Sequence, residues 1–297
     1  MNKLQGLKGS IVALVTPFRE DGSVNFEQLR QWVEWHIENK TDAILTLGTT
    51  GESSTMSHEE DDDVLRCVVE TVAGRVPVIA GTGSNSTQTM LEKSQRAEAL
   101  GADGLLLISP YYNKANAEGM YRHFATVVDQ VNIPAILYNV PGRTGCSISV
   151  DVVERLSVHP NVAGIKEASG DMSYAMKIAH CISDNFALWC GNDDITIPLL
   201  SIGGSGVISV WANIMPRQCH DMVMNYLNGN REAAVETAVK YLSLMNGLFM
   251  EVNPIPVKTA MNMMGMNAGT FRLPLYEMTS AHQETLRGML REAGLLA

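Results

Sequence analysis

Nowhere in the 297 residues do lysine and arginine gather into a basic block, and acidic residues outnumber them 32 to 22, for a net charge of −10. That argues against nucleic acid or an anionic membrane as the main partner, and the acidity is read as serving solubility. The five cysteines (Cys67, Cys146, Cys181, Cys190, Cys219) are odd in number and contain no C-x-x-C pair. Neither a disulfide framework nor a zinc knuckle is indicated, and a reducing compartment fits. The opening residues hold no apolar signal core, and no later segment is apolar for long enough to cross a bilayer, so a cytoplasmic protein is expected. The seven histidines show neither H-x-x-x-H nor H-E-x-x-H, so no catalytic metal is expected. No Ser-His-Asp set can be assigned, and G-x-G-x-x-G is missing after the first strand candidate.

What is present is an alternation. Short, nearly continuous apolar runs begin near Ser10, Ala43, Val76, Gly104, Ala135, Val162, Phe186 and Gly206, and amphipathic segments separate them. Strands apolar on both sides are buried on both sides, and the intervening helices make a parallel sheet. About eight such units in some 225 residues predict a closed (β/α)8 TIM barrel rather than an open doubly wound sheet. Start signals support the helices: Asn25 before Phe26, Ser57 with Glu60 three residues on, and Asp171. The acidic run Glu59–Asp63 is read as carboxylates facing the positive end of a helix dipole. The glycines at 203, 204 and 206 precede the eighth strand, and a helix C-cap is the better reading than a phosphate loop. After Asn228 only helices are predicted: Arg231–Met250, Pro256–Met264 and Glu277–Glu292. The chain therefore divides into a barrel carrying the active site (1–228) and a C-terminal helical extension (229–297), whose methionines are expected to pack against the barrel.

In such a barrel, reactive groups sit at the C-terminal ends of the strands and in the loops that follow. Lys166 ends the sixth strand, where an apolar environment would lower its pKa and leave an amine able to attack a carbonyl. By itself it reads more readily as a lysine reaching out to solvent, and the rest of the chain shifts that balance. Thr49 and Thr50 follow the second strand, Tyr111 and Tyr112 the fourth, Tyr138 lies in the fifth, Arg143 follows it, and Gly191 follows the seventh. A phenol beside a Schiff-base lysine can move the protons that imine chemistry needs, and Thr49 could hydrogen-bond it. Paired threonines between glycines can hold a small carboxylate, and so can an arginine in a proline–glycine loop.

These residues carry a resemblance. The motifs Gly48-Thr49-Thr50-Gly51-Glu52, Pro110-Tyr111-Tyr112-Asn113, Tyr138-Asn139-Val140-Pro141-Gly142-Arg143-Thr144-Gly145, Gly164-Ile165-Lys166-Glu167, Gly206-Val207-Ile208-Ser209-Val210 and Asn253-Pro254-Ile255-Pro256-Val257-Lys258 resemble the dihydrodipicolinate synthase family. That family lies within the N-acetylneuraminate lyase superfamily of class I aldolases. The resemblance implies a Schiff base between Lys166 and pyruvate, whose enamine attacks L-aspartate 4-semialdehyde on the path to diaminopimelate and lysine, with no separate cofactor. It assigns Tyr138, Thr49 and Tyr112 to a proton relay, Tyr112 reaching in from a neighbouring subunit. It assigns Thr50, Gly191 and the backbone at Ile208 to substrate binding, and Arg143 to the semialdehyde carboxylate. A homotetramer, a dimer of dimers, is implied. Lys114-Ala115 departs from the usual loop, where proline follows the basic residue. A sialic or keto-sugar acid lyase and a catalytically silent keto-acid-binding barrel are the alternatives. Arg143 argues against the first, and the presence of Lys166 and Tyr138 against the second. The feedback site of lysine-sensitive members matches at Ser53, Ser54, His58, Asn85 and Tyr111. It departs at Asp61, where histidine is usual, and at Thr89, where glutamate is usual, so weak lysine inhibition is expected.

Overall fold

The computed structural model describes residues 3–297. Eight parallel strands, β1 (Gly9–Ala13), β2 (Ala43–Thr46), β3 (Val78–Gly81), β4 (Gly104–Ile108), β5 (Ala135–Asn139), β6 (Val162–Glu167), β7 (Ala187–Cys190) and β8 (Gly206–Ser209), close into a barrel in sequence order. Alternation along each strand sorts side chains between two cores. Ile11, Ala13, Leu45, Ile79, Leu106, Ile136, Trp189 and Ile208 fill the interior. Val12, Ile44, Val78, Leu105, Leu107, Leu137 and Val207 meet the surrounding helices. This is why every strand reads as continuously apolar.

β6 breaks the alternation. Val162 faces the helices and Ala163 the interior, so strict alternation would turn Ile165 inward and Lys166 outward. Instead the register with β5 slips between Ala135 and Ile136, Gly164 pairs with Ile136, and Lys166 comes level with the inward-facing Tyr138. Gly164 takes φ +153°, and a Cβ there would stand 2.1 Å from the carbonyl oxygen of Ala187. A bulge that only glycine fits therefore aims the lysine into the barrel.

The predicted helix starts hold: Asn25 accepts from the backbone of Gln28, Ser57 and Glu60 form a capping box, and Asp171 accepts from Ser173 and Tyr174. Several boundaries differ: β3 begins at Val78 rather than Val76, and the helix expected at Pro256–Met264 is Ile255–Met263. The segment after β5 is a one-turn helix, Pro141–Thr144, which proline can start because its missing N–H costs nothing in the first turn. The helix beginning at Arg231 ends at Gly247, and the last helix runs Ser280–Glu292 behind the Thr279 cap. The acidic run does more than face a dipole. Glu60 also grips Arg272 of the C-terminal region at 2.8 Å, and Asp62 holds Arg96. Met245 and Met261 are buried in the outer core, and Met250, Met263 and Met264 pack against it. Among the described residues no helix is long and apolar enough to cross a membrane.

Candidate active site

A small cavity of about 80 Å³ opens at the C-terminal ends of the strands, walled by Thr49, Thr50, Tyr138, Arg143, Lys166 and Gly191, with Asn192, Phe249 and Asn253 beside them. A second cavity, about 320 Å³, shares Thr49, Tyr138 and Arg143 and runs out past Ser53, Ser54, Lys93 and Tyr111. The larger groove among the C-terminal helices, about 560 Å³ and bordered by Asn262, Phe271 and Arg287, gathers no buried amine, so size alone would mislead.

Lys166 is only 5% exposed, and among the described residues its Nζ has neither hydrogen-bond partner nor salt bridge. Its Nζ lies 4.5 Å from the centre of the Tyr138 ring. Burial pushes its pKa down to about 8; the carboxylate of Asp193 opposes that, and Arg143 adds to it. An amine with no counter-ion at contact is what desolvation deprotonates most readily. Burial also pushes Tyr138 up to about 12, so its phenol keeps its proton near neutral pH. Gly191 is required by space, since a Cβ there would come within 3.0 Å of Lys166 Cε and 2.5 Å of Ala168 Cβ.

Two buried carboxylates hold the strand ends. Glu167, facing away from the interior, accepts from Asn139 Nδ2 at 2.7 Å and from the Ser169 amide at 2.6 Å, and Asn139 Oδ1 accepts from the Ile148 amide. This locks together the ends of β5 and β6, which carry Tyr138 and Lys166. Asp193 Oδ2 accepts from the amides of Val210 and Trp211, tying the turn after β7 to β8. Its Oδ1 is buried without a hydrogen-bond partner, and burial raises its pKa.

The C-terminal extension completes the mouth. Asn253 Nδ2 donates to Thr50 Oγ1 at 2.9 Å, and its carbonyl oxygen accepts from Arg143 Nη2 at 3.0 Å. Lys258, fully buried, donates to Glu52 Oε1 at 2.7 Å and to the Thr270 carbonyl at 2.6 Å. Glu52 has φ +56°, so the extension braces the strained end of the Thr49–Gly51 turn.

The structure thus gathers Lys166, Tyr138, Thr49, Thr50, Arg143 and Gly191 at one mouth. No hydrogen bond joins Thr49 to Tyr138 among the described residues; the two share cavity walls instead. Ile208 is buried within β8 and does not border the cavity, whereas Val210 does. Tyr112 points away, 92% exposed with φ +70°. Phe249, Asp193 and the side-chain role of Asn253 escaped the sequence reading; only Asn253 left a trace there, inside its motif.

The dihydrodipicolinate synthetase family model matches residues 6–293. A 4-hydroxy-tetrahydrodipicolinate synthase of Clostridium perfringens strain SM101 is 52% identical over 289 residues, 97% of this chain and 99% of that one. Among solved structures, the chloride-inhibited dihydrodipicolinate synthase of Acinetobacter baumannii complexed with pyruvate superposes with a TM-score of 0.95 at 42% identity, covering 98% of this chain and all of that one. The DHDPS of Cyanidioschyzon merolae with lysine bound gives 0.95 at 38% identity, over 98% of this chain and all of that one.

Proposed function

The chain belongs to the dihydrodipicolinate synthetase family, and from that premise we propose how its barrel mouth carries out the family's reaction. The enzyme is a lyase of the class I aldolase type that works without a cofactor. It condenses pyruvate with L-aspartate 4-semialdehyde to give 4-hydroxy-tetrahydrodipicolinate, the first committed step toward diaminopimelate and lysine.

Lys166 is the nucleophile. Its amine adds to the keto carbon of pyruvate, water leaves, and an iminium forms; loss of a methyl proton gives the enamine. The enamine carbon attacks the aldehyde carbon, whose oxygen takes up a proton. The amino group of the adduct then adds to the imine carbon, closing the ring and freeing Lys166. Tyr138 delivers and recovers the protons, as a phenol held in its neutral form can. Thr49 passes protons onward, and Thr50 and Gly191, which border the cavity as Ile208 does not, receive the pyruvate carboxylate. Arg143, its guanidinium held in the cavity wall by the Asn253 carbonyl, takes the semialdehyde carboxylate.

Tyr112 completes the relay in a neighbouring subunit of a homotetramer, a dimer of dimers. Its full exposure on a strained backbone, and the open cavity beside Thr49 and Tyr138, support that reading. The barrel to residue 228 is the catalytic unit and 229–297 its brace, and the enzyme works in the cytoplasm.

The observation that carries the mechanism is a nearly buried amine without a counter-ion at contact, opening on a cavity that also holds a phenol and a guanidinium. Borohydride with pyruvate should inactivate the enzyme irreversibly and add the reduced pyruvyl mass to the peptide containing Lys166. Labelling elsewhere, or none, would sink the Schiff base.

A further inference from the structure

We infer that Asn253 is a positioning residue that fixes the Thr50 hydroxyl as a hydrogen-bond donor toward the donor acid's carboxylate, so that the helical extension builds half of a subsite lying inside the barrel mouth. The inference rests on the pyruvate reading above and deepens it.

A threonine hydroxyl has one hydrogen and two lone pairs, and it turns to suit its partners. Left free at the cavity wall, the Thr50 hydroxyl would present its hydrogen to an incoming carboxylate only part of the time. Asn253 removes that freedom. Its Nδ2 donates to Thr50 Oγ1 at 2.9 Å, a buried contact between residues 203 apart in sequence. With a lone pair occupied by the amide, the threonine hydrogen is directed elsewhere, and both residues border the cavity that holds Lys166. Asn253 is 6% exposed, and its Oδ1 is buried without a partner, so the side chain has no other bond to make and is spent on Thr50. Packing alone does not explain a buried amide with one bond made and one acceptor left unsatisfied.

The same residue serves Arg143 differently, through its main-chain carbonyl at 3.0 Å. Side-chain replacement leaves that carbonyl in place. One residue thus supports both substrate sites, but only the pyruvate site depends on its side chain, and this asymmetry is what an experiment can read.

The test measures two quantities for each variant: the pyruvate concentration that half-saturates cyanoborohydride trapping, with no second substrate present, and the KM for the semialdehyde. Asn253→Ala should raise pyruvate half-saturation about tenfold, the loss of one well-placed hydrogen bond to a charged group. The semialdehyde KM should stay within about threefold. Asn253→Asp keeps the shape but reverses the polarity: a carboxylate would draw the Thr50 hydrogen to itself and turn the oxygen lone pairs on the substrate. That variant should weaken pyruvate about a hundredfold at neutral pH. Its ratio to the wild type, taken at each pH, should shrink as acid protonates the new carboxyl and restores a donor. In a Thr50→Val background, replacing Asn253 should change pyruvate half-saturation no further. If Asn253→Ala does not fold, the isosteric Asn253→Asp variant carries the test.

Pyruvate binding by Asn253→Asp equal to that of the wild type would overturn the inference. So would both constants rising together, or an added loss in the Thr50→Val background. A wild-type enzyme that pyruvate and hydride do not label would overturn the Schiff-base reading itself, a result distinct from any of these.

Discussion

Lys166 and Lys258 are the most deeply buried lysines among the described residues, and they are kept in opposite ways. Lys258, in the helical extension, is wholly enclosed and paired with a carboxylate. Glu52 and the Thr270 carbonyl receive its hydrogens, and the rings of Phe18 and Phe271 lie 4.5 and 5.1 Å from its Nζ. Lys166, at the barrel mouth, has the Tyr138 ring nearby and no counter-ion at contact. Burial pulls both pKa values down, but at Lys258 the contacting Glu52 carboxylate opposes it and the pair serves as a brace, whereas Lys166 is brought down to about 8, which suits the nucleophilic role proposed for it. Burial alone therefore says little about what a lysine does, and the groups around its Nζ say a great deal.

Exchanging the roles should fail in both directions, and this is the largest expected effect. Lys166→Ala should lower kcat by at least about a thousandfold and abolish hydride trapping, because no other group can hold pyruvate covalently. Lys258→Met should still be trapped by pyruvate and hydride wherever it folds. It strands the Glu52 carboxylate in the interior and should lower stability by about 3–5 kcal/mol, read from urea unfolding. Trapping lost in Lys258→Met that is fully folded would merge the two roles and break the comparison.

Arg143 tests the substrate side of the same mouth. Arg143→Ala should raise the KM for the semialdehyde far more than that for pyruvate. The loss is about 2–5 kcal/mol, the range for removing one partner of a desolvated charge pair. Equal effects on both substrates would make Arg143 a structural residue.

The pH dependence of stability should separate the lysines next. Burial brings Lys166 down to about 8 in the folded chain, against 10.5 for an exposed lysine. Between those values the unfolded chain holds a proton that the native protein lacks, so stability from this group rises with pH across that window. Below about 8 both states are protonated and the whole cost of burying the ammonium is present. Lys166→Met should then be more stable than the wild type at pH 7, by on the order of 3 kcal/mol. That advantage should fade toward pH 10.5. An advantage that does not change with pH would mean the gain comes from packing.

Much of this was legible in the sequence, for a physical reason. Apolar runs at regular spacing can only be a parallel sheet buried on both faces, and loops after strands gather at one end of a barrel. So Lys166, Tyr138, Thr49, Thr50 and Arg143 could be assigned to one mouth before any coordinates. What could not be read was phase. Strict alternation from Val162 would have turned Lys166 outward, and only the bulge at Gly164 turns it in. Contacts across two hundred residues were equally hidden. In the sequence Asn253 and Lys258 stand only as ends of a family motif, and only folding brings them to Thr50 and Glu52. The Pro141–Thr144 turn was read as loop because four residues carry no period.

The smallest expected effect concerns a third lysine and sharpens the comparison. Lys93 lies on the helix Thr87–Ala99 and borders the outer cavity with Ser53, Ser54 and Tyr111. Its Nζ bonds Asp61 Oδ2 at 2.9 Å, both side chains largely buried. Burial raises the pKa of Asp61, and Lys93 counters that rise. Of the positions compared with lysine-sensitive members, namely Ser53, Ser54, His58, Asp61, Asn85, Thr89 and Tyr111, only Asp61 carries a carboxylate, and it is already engaged by Lys93. Thr89 adds only a neutral hydroxyl on the same helix, whose amide bonds the Ser86 cap. A free lysine entering here would meet a fixed ammonium and no spare carboxylate, so a charge-assisted bond is replaced by repulsion. We therefore expect lysine to inhibit weakly or not at all, measured as initial rate with both substrates near their KM. Replacing Lys93 by Met would free Asp61 and should increase whatever inhibition remains. Strong inhibition of the wild type at submillimolar lysine would show that another group accepts the ammonium, and that the Lys93–Asp61 pair opens to admit it.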